Sequence, residues 1–202
     1  MRLEFTLAGV SPLVMHNGAA GLDTRSALSR EIATIAAKRG GNRTEVDDKR
    51  LRELECQRSL YLGDDGKPTL PEAALRAVIE AGARKIKQGP LVREGLMIES
   101  AAFGYDVERY GEDLEKLRTT AQFVVPVVVS RQRILRTRAK FDCPWSVAGI
   151  ADVDPELVDE EKLTAWLALA GRRVGLGDWR PEKSGHYGRF DVKKVTELPD
   201  AA

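Results

Sequence analysis

Residues Arg2 to Gly9 alternate Leu3, Phe5 and Leu7 with Arg2, Glu4 and Thr6, the period of two expected of a half-buried strand. The chain then runs through Ser11-Pro12-Leu13-Val14-Met15-His16-Asn17. Over residues 24–39 Leu28, Ile32, Ile35 and Ala36 recur at helical spacing, and Gly40-Gly41 stops that helix. A second helix is predicted over 44–56. Lys38, Arg39, Arg43, Lys49, Arg50 and Arg52 lie on or beside these helices. Such polarity suits a helical insertion lobe, residues 17–57, packed on the rim of the domain.

Residues 59–70 read as a short hairpin around Gly63-Asp64-Asp65-Gly66, since Asp-Gly tolerates the positive φ of a tight turn. Pro71 opens a helix where its missing N–H is harmless, and Leu75, Val78, Ile79 and Ile86 form its apolar face until Gly89-Pro90. Gly82 falls on the same stripe, costing about 1 kcal/mol of helix propensity but permitting close backbone approach. Strands are predicted over 95–102, 123–137 and 145–153, the second rich in β-branched residues. In its basic half Arg131 and Arg133 share one parity and Arg136, Arg138 and Lys140 the other, so a bulge or bend near Ile134-Leu135 is expected to reunite them. A second core helix over 159–170 presents Leu163, Trp166, Leu167 and Ala170, with acids in its first turn where the helix dipole favours them. The final strand is expected over 187–195. Without the lobe, the order is strand, helix, strand, strand, helix, strand: an α+β, ferredoxin-like (RRM-like) βαββαβ core in one domain of residues 1–202. Such a sheet presents its free face or edge loops to single-stranded RNA in RNA-recognition modules.

A chain of 202 residues with 43% hydrophobic and 31% charged residues describes a globular protein able to bury a core. No apolar run reaches membrane-spanning length and the start lacks a secretory pattern, so a cytoplasmic protein without membrane contact is expected. Cys56 and Cys143 are expected as two reduced, buried thiols. With only His16 and His186 to join them, no metal-ligand spacing arises and no cofactor is expected. The formal net charge is only +1, so any polyanion partner must be held by local clustering. Arg131, Arg133, Arg136, Arg138 and Lys140 form one basic cluster, and Asp152, Asp154, Glu156, Asp159, Glu160 and Glu161 form an acidic one. Either both are solvated faces, or their complementarity serves head-to-tail association between copies.

The chemistry most worth testing lies in Gly171-Arg172-Arg173-Val174-Gly175-Leu176-Gly177-Asp178-Trp179-Arg180-Pro181, followed by Gly185-His186-Tyr187-Gly188-Arg189-Phe190. Gly175, Gly177, Gly185 and Gly188 can bring backbone N–H groups close to phosphates, while Arg172, Arg173, Arg180, Lys183 and Arg189 supply charged donors. Trp179 is either a base-stacking group or a core plug, and Tyr187 is the better stacking candidate because its hydroxyl tolerates water. Arg180, fixed before Pro181, is expected to be an extended loop residue. The alternative is a plain turn before the last strand.

Leu70-Pro71-Glu72-Ala73-Ala74-Leu75-Arg76 resembles the proline-led, basic helix start of the repeat-associated RAMP superfamily of CRISPR proteins. The segment from Gly171-Arg172-Arg173 to Gly188-Arg189-Phe190 resembles that superfamily's C-terminal glycine-rich loop. Within the superfamily the likeness is to the Cas-seven-type backbone subunit, whose copies line up along a guide RNA. Such subunits are usually longer, so a compact viral or mobile-element relative fits this length. The resemblance implies RNA contacts at Arg172, Arg173, Gly175, Gly177, Arg180, Gly185 and Gly188, with Arg76 and Arg84 on the helix facing the RNA, and association with itself and other effector subunits. The charge pattern adds Arg131, Arg133, Arg136 and Arg138. Binding to the sugar-phosphate chain without sequence preference is then expected, rather than catalysis.

Three other readings remain. Processing ribonucleases of the Cas-six type use a histidine soon after the first strand, where His16 stands, but a cutting site needs further groups, for which only Lys38 and His186 are candidates. Asp23 is either a metal-bound cutting aspartate of the kind in some type III backbone subunits or a helix N-cap. A viral mimic that blocks effector assembly would share the same shape.

Overall fold

The structure is a computed structural model and describes residues 1–38, 40–129 and 132–199. Arg39 and Arg131 lie outside these, as does the side chain of Arg133. Along the chain run β1 (Arg2–Gly9), β2 (Leu13–Met15), α1 (Gly18–Leu22), α2 (Ala27–Ala37), α3 (Glu45–Ser59), α4 (Glu72–Arg84), α5 (Gly89–Gly95), β3 (Leu96–Gly104), α6 (Val107–Tyr110), α7 (Leu114–Thr120), β4 (Gln122–Val129), β5 (Gln132–Phe141), β6 (Ser146–Val153), α8 (Glu160–Arg173) and β7 (Phe190–Leu198). The class is α+β. Two sheets occur among the described residues, of order β3-β6-β1-β7 and β2-β5-β4. No helix among them is long and apolar enough to cross a membrane.

The chain divides into two compact units, one of Met1–Val14, Thr69–Asp106 and Phe141–Ala202, the other of Met15–Pro68 and Val107–Lys140. In the first, β1 pairs antiparallel with β6 (Arg2↔Asp152 to Ala8↔Ser146) and with β7 (Arg2↔Leu198 to Gly9↔Phe190). Leu3, Phe5 and Leu7 are fully buried, as the alternation predicts. Helices α4 and α8 pack on each other and on β3 and β7, burying Leu75, Val78 and Ile79 together with Leu163, Trp166, Leu167 and Ala170. Ile86, expected on the α4 stripe, is 44% exposed because the helix ends at Arg84 and a separate turn, α5, begins at Gly89. On the outer face of the sheet, Arg2 pairs with Glu99 at 2.6 Å and Lys194 with Glu4 at 2.7 Å. The outward positions of β1 and β6 (Arg2, Glu4, Thr6, Ala8; Ser146, Ala148, Ile150, Asp152) hold no aromatic side chain, so they offer no stacking platform of the RNA-recognition type.

The helices expected in the lobe form: Ser26 caps α2, and Thr44 with Asp47 makes a capping box on α3. Ile32 and Ile35 of α2 pack with Leu51 and Leu54 of α3. The unit they belong to is larger than residues 17–57, because residues 107–140 complete it. The run read as one strand over 123–137 is two, β4 and β5, paired antiparallel from Gln122↔Ala139 to Val129↔Gln132. Ser130 and Arg131 between them include no Gly, Asn or Asp, so the usual hairpin signal is missing from the sequence. The register continues unbroken through Ile134 and Leu135, and the bulge expected there is not formed. The hairpin expected over 59–70 reduces to one bridge, Leu62↔Pro68, because α3 continues to Ser59.

Candidate nucleic-acid interface

The C-terminal segment is built on the last turn of α8, where Arg172 and Arg173 are exposed and their charges complement the helix dipole. The Arg189 guanidinium donates to the Arg172 carbonyl at 3.1 Å, bringing the start of β7 beside this helix end. Arg172 and Arg189 line a cavity of about 390 Å³ with Val10, Phe190, Val192 and one carboxylate residue, Asp191.

The glycines nearby serve the chain itself. Gly188 N–H donates to the Pro12 carbonyl at 2.8 Å, Gly185 N–H to Arg180 at 3.0 Å, and Gly175 N–H to Ala170 at 2.9 Å. A Cβ at Gly177 would meet the Val14 carbonyl oxygen at 2.3 Å, and one at Gly185 the Trp179 oxygen at 1.7 Å. The expected cradle of glycine N–H groups is therefore corrected at Gly175, Gly185 and Gly188: their amides are spent on folding the loop. Arg180 is likewise committed, to Glu182 at 3.0 Å and to the Gly177 carbonyl at 3.1 Å. Trp179, with φ of 51°, and Tyr187 are half-buried and lie ring against ring, centroids 6.3 Å apart.

Arg76 caps carbonyls, donating to Leu96 at 3.0 Å and Arg93 at 2.9 Å, and lines a cavity shared with Glu94, Asp152 and Asp154. Arg84 is exposed at the end of α4, its stem against Gly89. Arg76 therefore lies in a different cavity from Arg172 and Arg189.

In the second unit Arg136 and Arg138 of β5 meet His16, Asn17, Gly21, Arg58, Ser59 and Val127 around a cavity of about 210 Å³. The Glu55 carboxylate accepts Thr137 N–H at 2.8 Å, and Ser59 Oγ accepts Ala139 N–H at 2.7 Å. The other Glu55 oxygen lies 3.1 Å from Arg136. Burial lowers the Arg58 guanidinium below its ordinary pKa; Glu55 opposes this and the Arg136 charge adds to it. Glu55 and Arg58 went unnoticed in the sequence because α3 is polar on nearly every turn.

Asp23 accepts the backbone N–H groups of Arg25 and Ser26 at 3.1 and 3.2 Å, while Ser26 is the N-cap of α2. Among the described residues no group of three His, Cys, Asp or Glu could hold a metal ion. Lys38 pairs with Asp47 and His186 is exposed in the first unit, so neither stands in the lining of the His16 cavity. Cys56 is buried as expected but Cys143 is exposed. No protein-family model and no curated protein sequence matches the chain.

Proposed function

We propose that the chain binds single-stranded RNA along its sugar-phosphate backbone, as a backbone-type subunit of a CRISPR-type ribonucleoprotein whose copies associate head to tail. The observation that carries this reading is the grouping of Arg172, Arg173 and Arg189 at one end of α8, with Arg172 and Arg173 exposed. Guanidinium forks suit phosphate oxygens, and their exposure lets a flexible polymer reach them. Two further features support it. In the first unit β1, α4, α5, β3, β6, α8 and β7 follow one another, and the sheet order β3-β6-β1-β7 with antiparallel neighbours supports reading it as a ferredoxin-like βαββαβ core with α5 as an addition. Helix α8 carries exposed Asp159, Glu160 and Glu161 at one end and exposed Arg172 and Arg173 at the other, a polarity that favours head-to-tail contact between copies.

The test is fluorescence anisotropy of a labelled oligouridine titrated with the chain at several salt concentrations. Arg172→Ala with Arg173→Ala should weaken binding and flatten the log-log salt slope by about 1.4, at about 0.7 per lost phosphate contact on a single strand. Unchanged affinity and slope would refute the reading.

A second reading, metal-independent RNA cleavage with His16 as general acid or base, is favoured by the three arginines that share its cavity, since these could stabilise a developing phosphorane charge. Cleavage of a labelled RNA hairpin that disappears in His16→Ala would support it. Intact RNA after prolonged incubation with the wild-type chain would dismiss it.

A further inference from the structure

We propose that the cavity between the end of α8 and the start of β7, lined by Arg172, Arg189 and Asp191, holds one guanine nucleotide of a bound single strand, with the Asp191 carboxylate reading the base. The inference rests on the RNA reading above and adds, to a grip that is otherwise indifferent to sequence, one position per copy at which the base matters. The cavity volume, about 390 Å³, lies within the roughly 300–1,000 Å³ of pockets that enclose whole small ligands. A lone phosphate would not fill it.

All of the lining residues belong to the first unit. A Cβ at Gly171 would collide with the Phe190 carbonyl oxygen, so α8 meets β7 backbone to backbone and the spacing of the two walls is fixed. Away from the three charged residues the wall is apolar. Val10 is 58% exposed and Ala168 is exposed, whereas the Phe190 ring is buried and offers no stacking face. A phosphate leaves such aliphatic walls in water; the flat face of a base covers them.

Arg189 is oriented by its hydrogen bond to the Arg172 carbonyl, at 3.1 Å, and the Arg172 guanidinium has no partner among the described residues. Each retains donors for phosphate oxygens. Asp191 likewise accepts no hydrogen bond and pairs with no cation among the described residues. In a site that held phosphates alone, an unpaired carboxylate beside two arginines would repel the very polymer it serves. It becomes useful once a donor of the ligand reaches it. Among the four bases, guanine alone presents two adjacent donors, N1–H and N2–H, on its Watson–Crick edge, and the two carboxylate oxygens can accept both. Cytosine and adenine offer one amino group, and uracil flanks its single N–H with carbonyls that a carboxylate opposes.

The test is fluorescence anisotropy of the full chain with three labelled RNA nonamers: all uridine, uridine with one central guanosine, and uridine with one central inosine, which lacks the 2-amino group. The wild-type chain should bind the guanosine strand about fivefold or more tighter than the uridine strand, with the inosine strand in between. Asp191→Ala should erase the preference and tighten binding of the all-uridine strand, because a charge that repels phosphates is gone. Ala168→Leu keeps every charge and fills the apolar wall, and should lower the guanosine preference while circular dichroism stays native. Equal binding of the guanosine and uridine strands by the wild-type chain, with the salt slope intact, overturns this inference and leaves the RNA reading standing; no binding of any strand overturns both. A preference that survives Asp191→Ala also overturns it.

Discussion

Gly82 of α4 stands directly against the backbone carbonyl of Trp166 in α8: a Cβ built on the glycine would meet that oxygen at 2.4 Å and the Ala170 Cβ at 2.9 Å. The two main helices of the first unit touch through bare backbone here, and this contact explains a glycine in the middle of an otherwise good helix. Alanine would gain about 1 kcal/mol in helix propensity, but the neighbour is backbone and cannot turn aside. Gly82→Ala is expected to destabilise the protein by about 1–3 kcal/mol net, the usual cost of overpacking. A urea midpoint equal to or above wild type would contradict this.

Glu55 offers a different kind of test, since it is 3% exposed and its carboxylate accepts the Thr137 amide of β5. Breaking a fully buried pair costs roughly 3–5 kcal/mol. Arg136 keeps 31% of its side chain in water, so the loss in Glu55→Ala should be smaller, about 2 kcal/mol. Glu55→Gln, which still accepts the Thr137 amide, should lose less than Glu55→Ala, and the difference between the two denaturation curves measures that hydrogen bond.

The start of α3 titrates. The hydrogen bond from Lys38, followed by that from the Thr44 amide, lowers the Asp47 carboxyl from 3.8 to about 2. Because the folded value lies below the unfolded one, the contribution of Asp47 to stability is present above pH 3.8 and is lost as pH falls through about 2. Carboxyl NMR should find the Asp47 midpoint near 2, and Lys38→Ala should move it upward. A midpoint near 3.8 in the wild-type chain would refute the capping geometry.

Thiol chemistry separates the two cysteines. Burial pushes Cys56 up to about 12, whereas Cys143 is exposed, its thiol raised by partial burial and by Asp142. Ellman's reagent should react with one thiol in the native protein and with two in guanidinium, and Cys143→Ser should abolish the native reaction. Rapid native labelling of both would be inconsistent with the packing around Cys56.

In the C-terminal loop, Gly188 has φ of 69° and a Cβ there would meet the Leu176 oxygen at 1.8 Å. Gly188→Ala is expected to cost about 2 kcal/mol or more, and Arg173→Ala within about 0.5 kcal/mol of nothing. Thermal melts in the same buffer compare the two.

Much of the first unit was legible because its signals are local: the period-two alternation in Leu3-Phe5-Leu7, the proline before α4, and the acids opening α8. The second unit was less so. Residues 107–140 join residues 15–68 through contacts such as Glu55 with Thr137, which link positions far apart in the chain and have no local pattern. The candidate site divided in the same way. Composition picked out the arginines of β5 and of the α8 end, but their environment depends on partners: Arg180 has Glu182, Arg76 has two carbonyls, and Arg136 has Glu55. The loop glycines were visible as glycines, and only coordinates distinguish an amide aimed at a ligand from one bonded to Pro12.

Strand β1 lies between β6 and β7, so residues 2–9 find their neighbours only at 146–153 and 190–198. During translation the strand leaves the ribosome long before either neighbour exists, and at about 5–20 residues per second the delay lasts roughly ten seconds or more. Over that interval Leu3, Phe5 and Leu7 have no sheet to enter. Nascent chains halted before residue 190 would leave one edge of β1 open to pairing with other chains, making this stretch the natural place for a chaperone to hold.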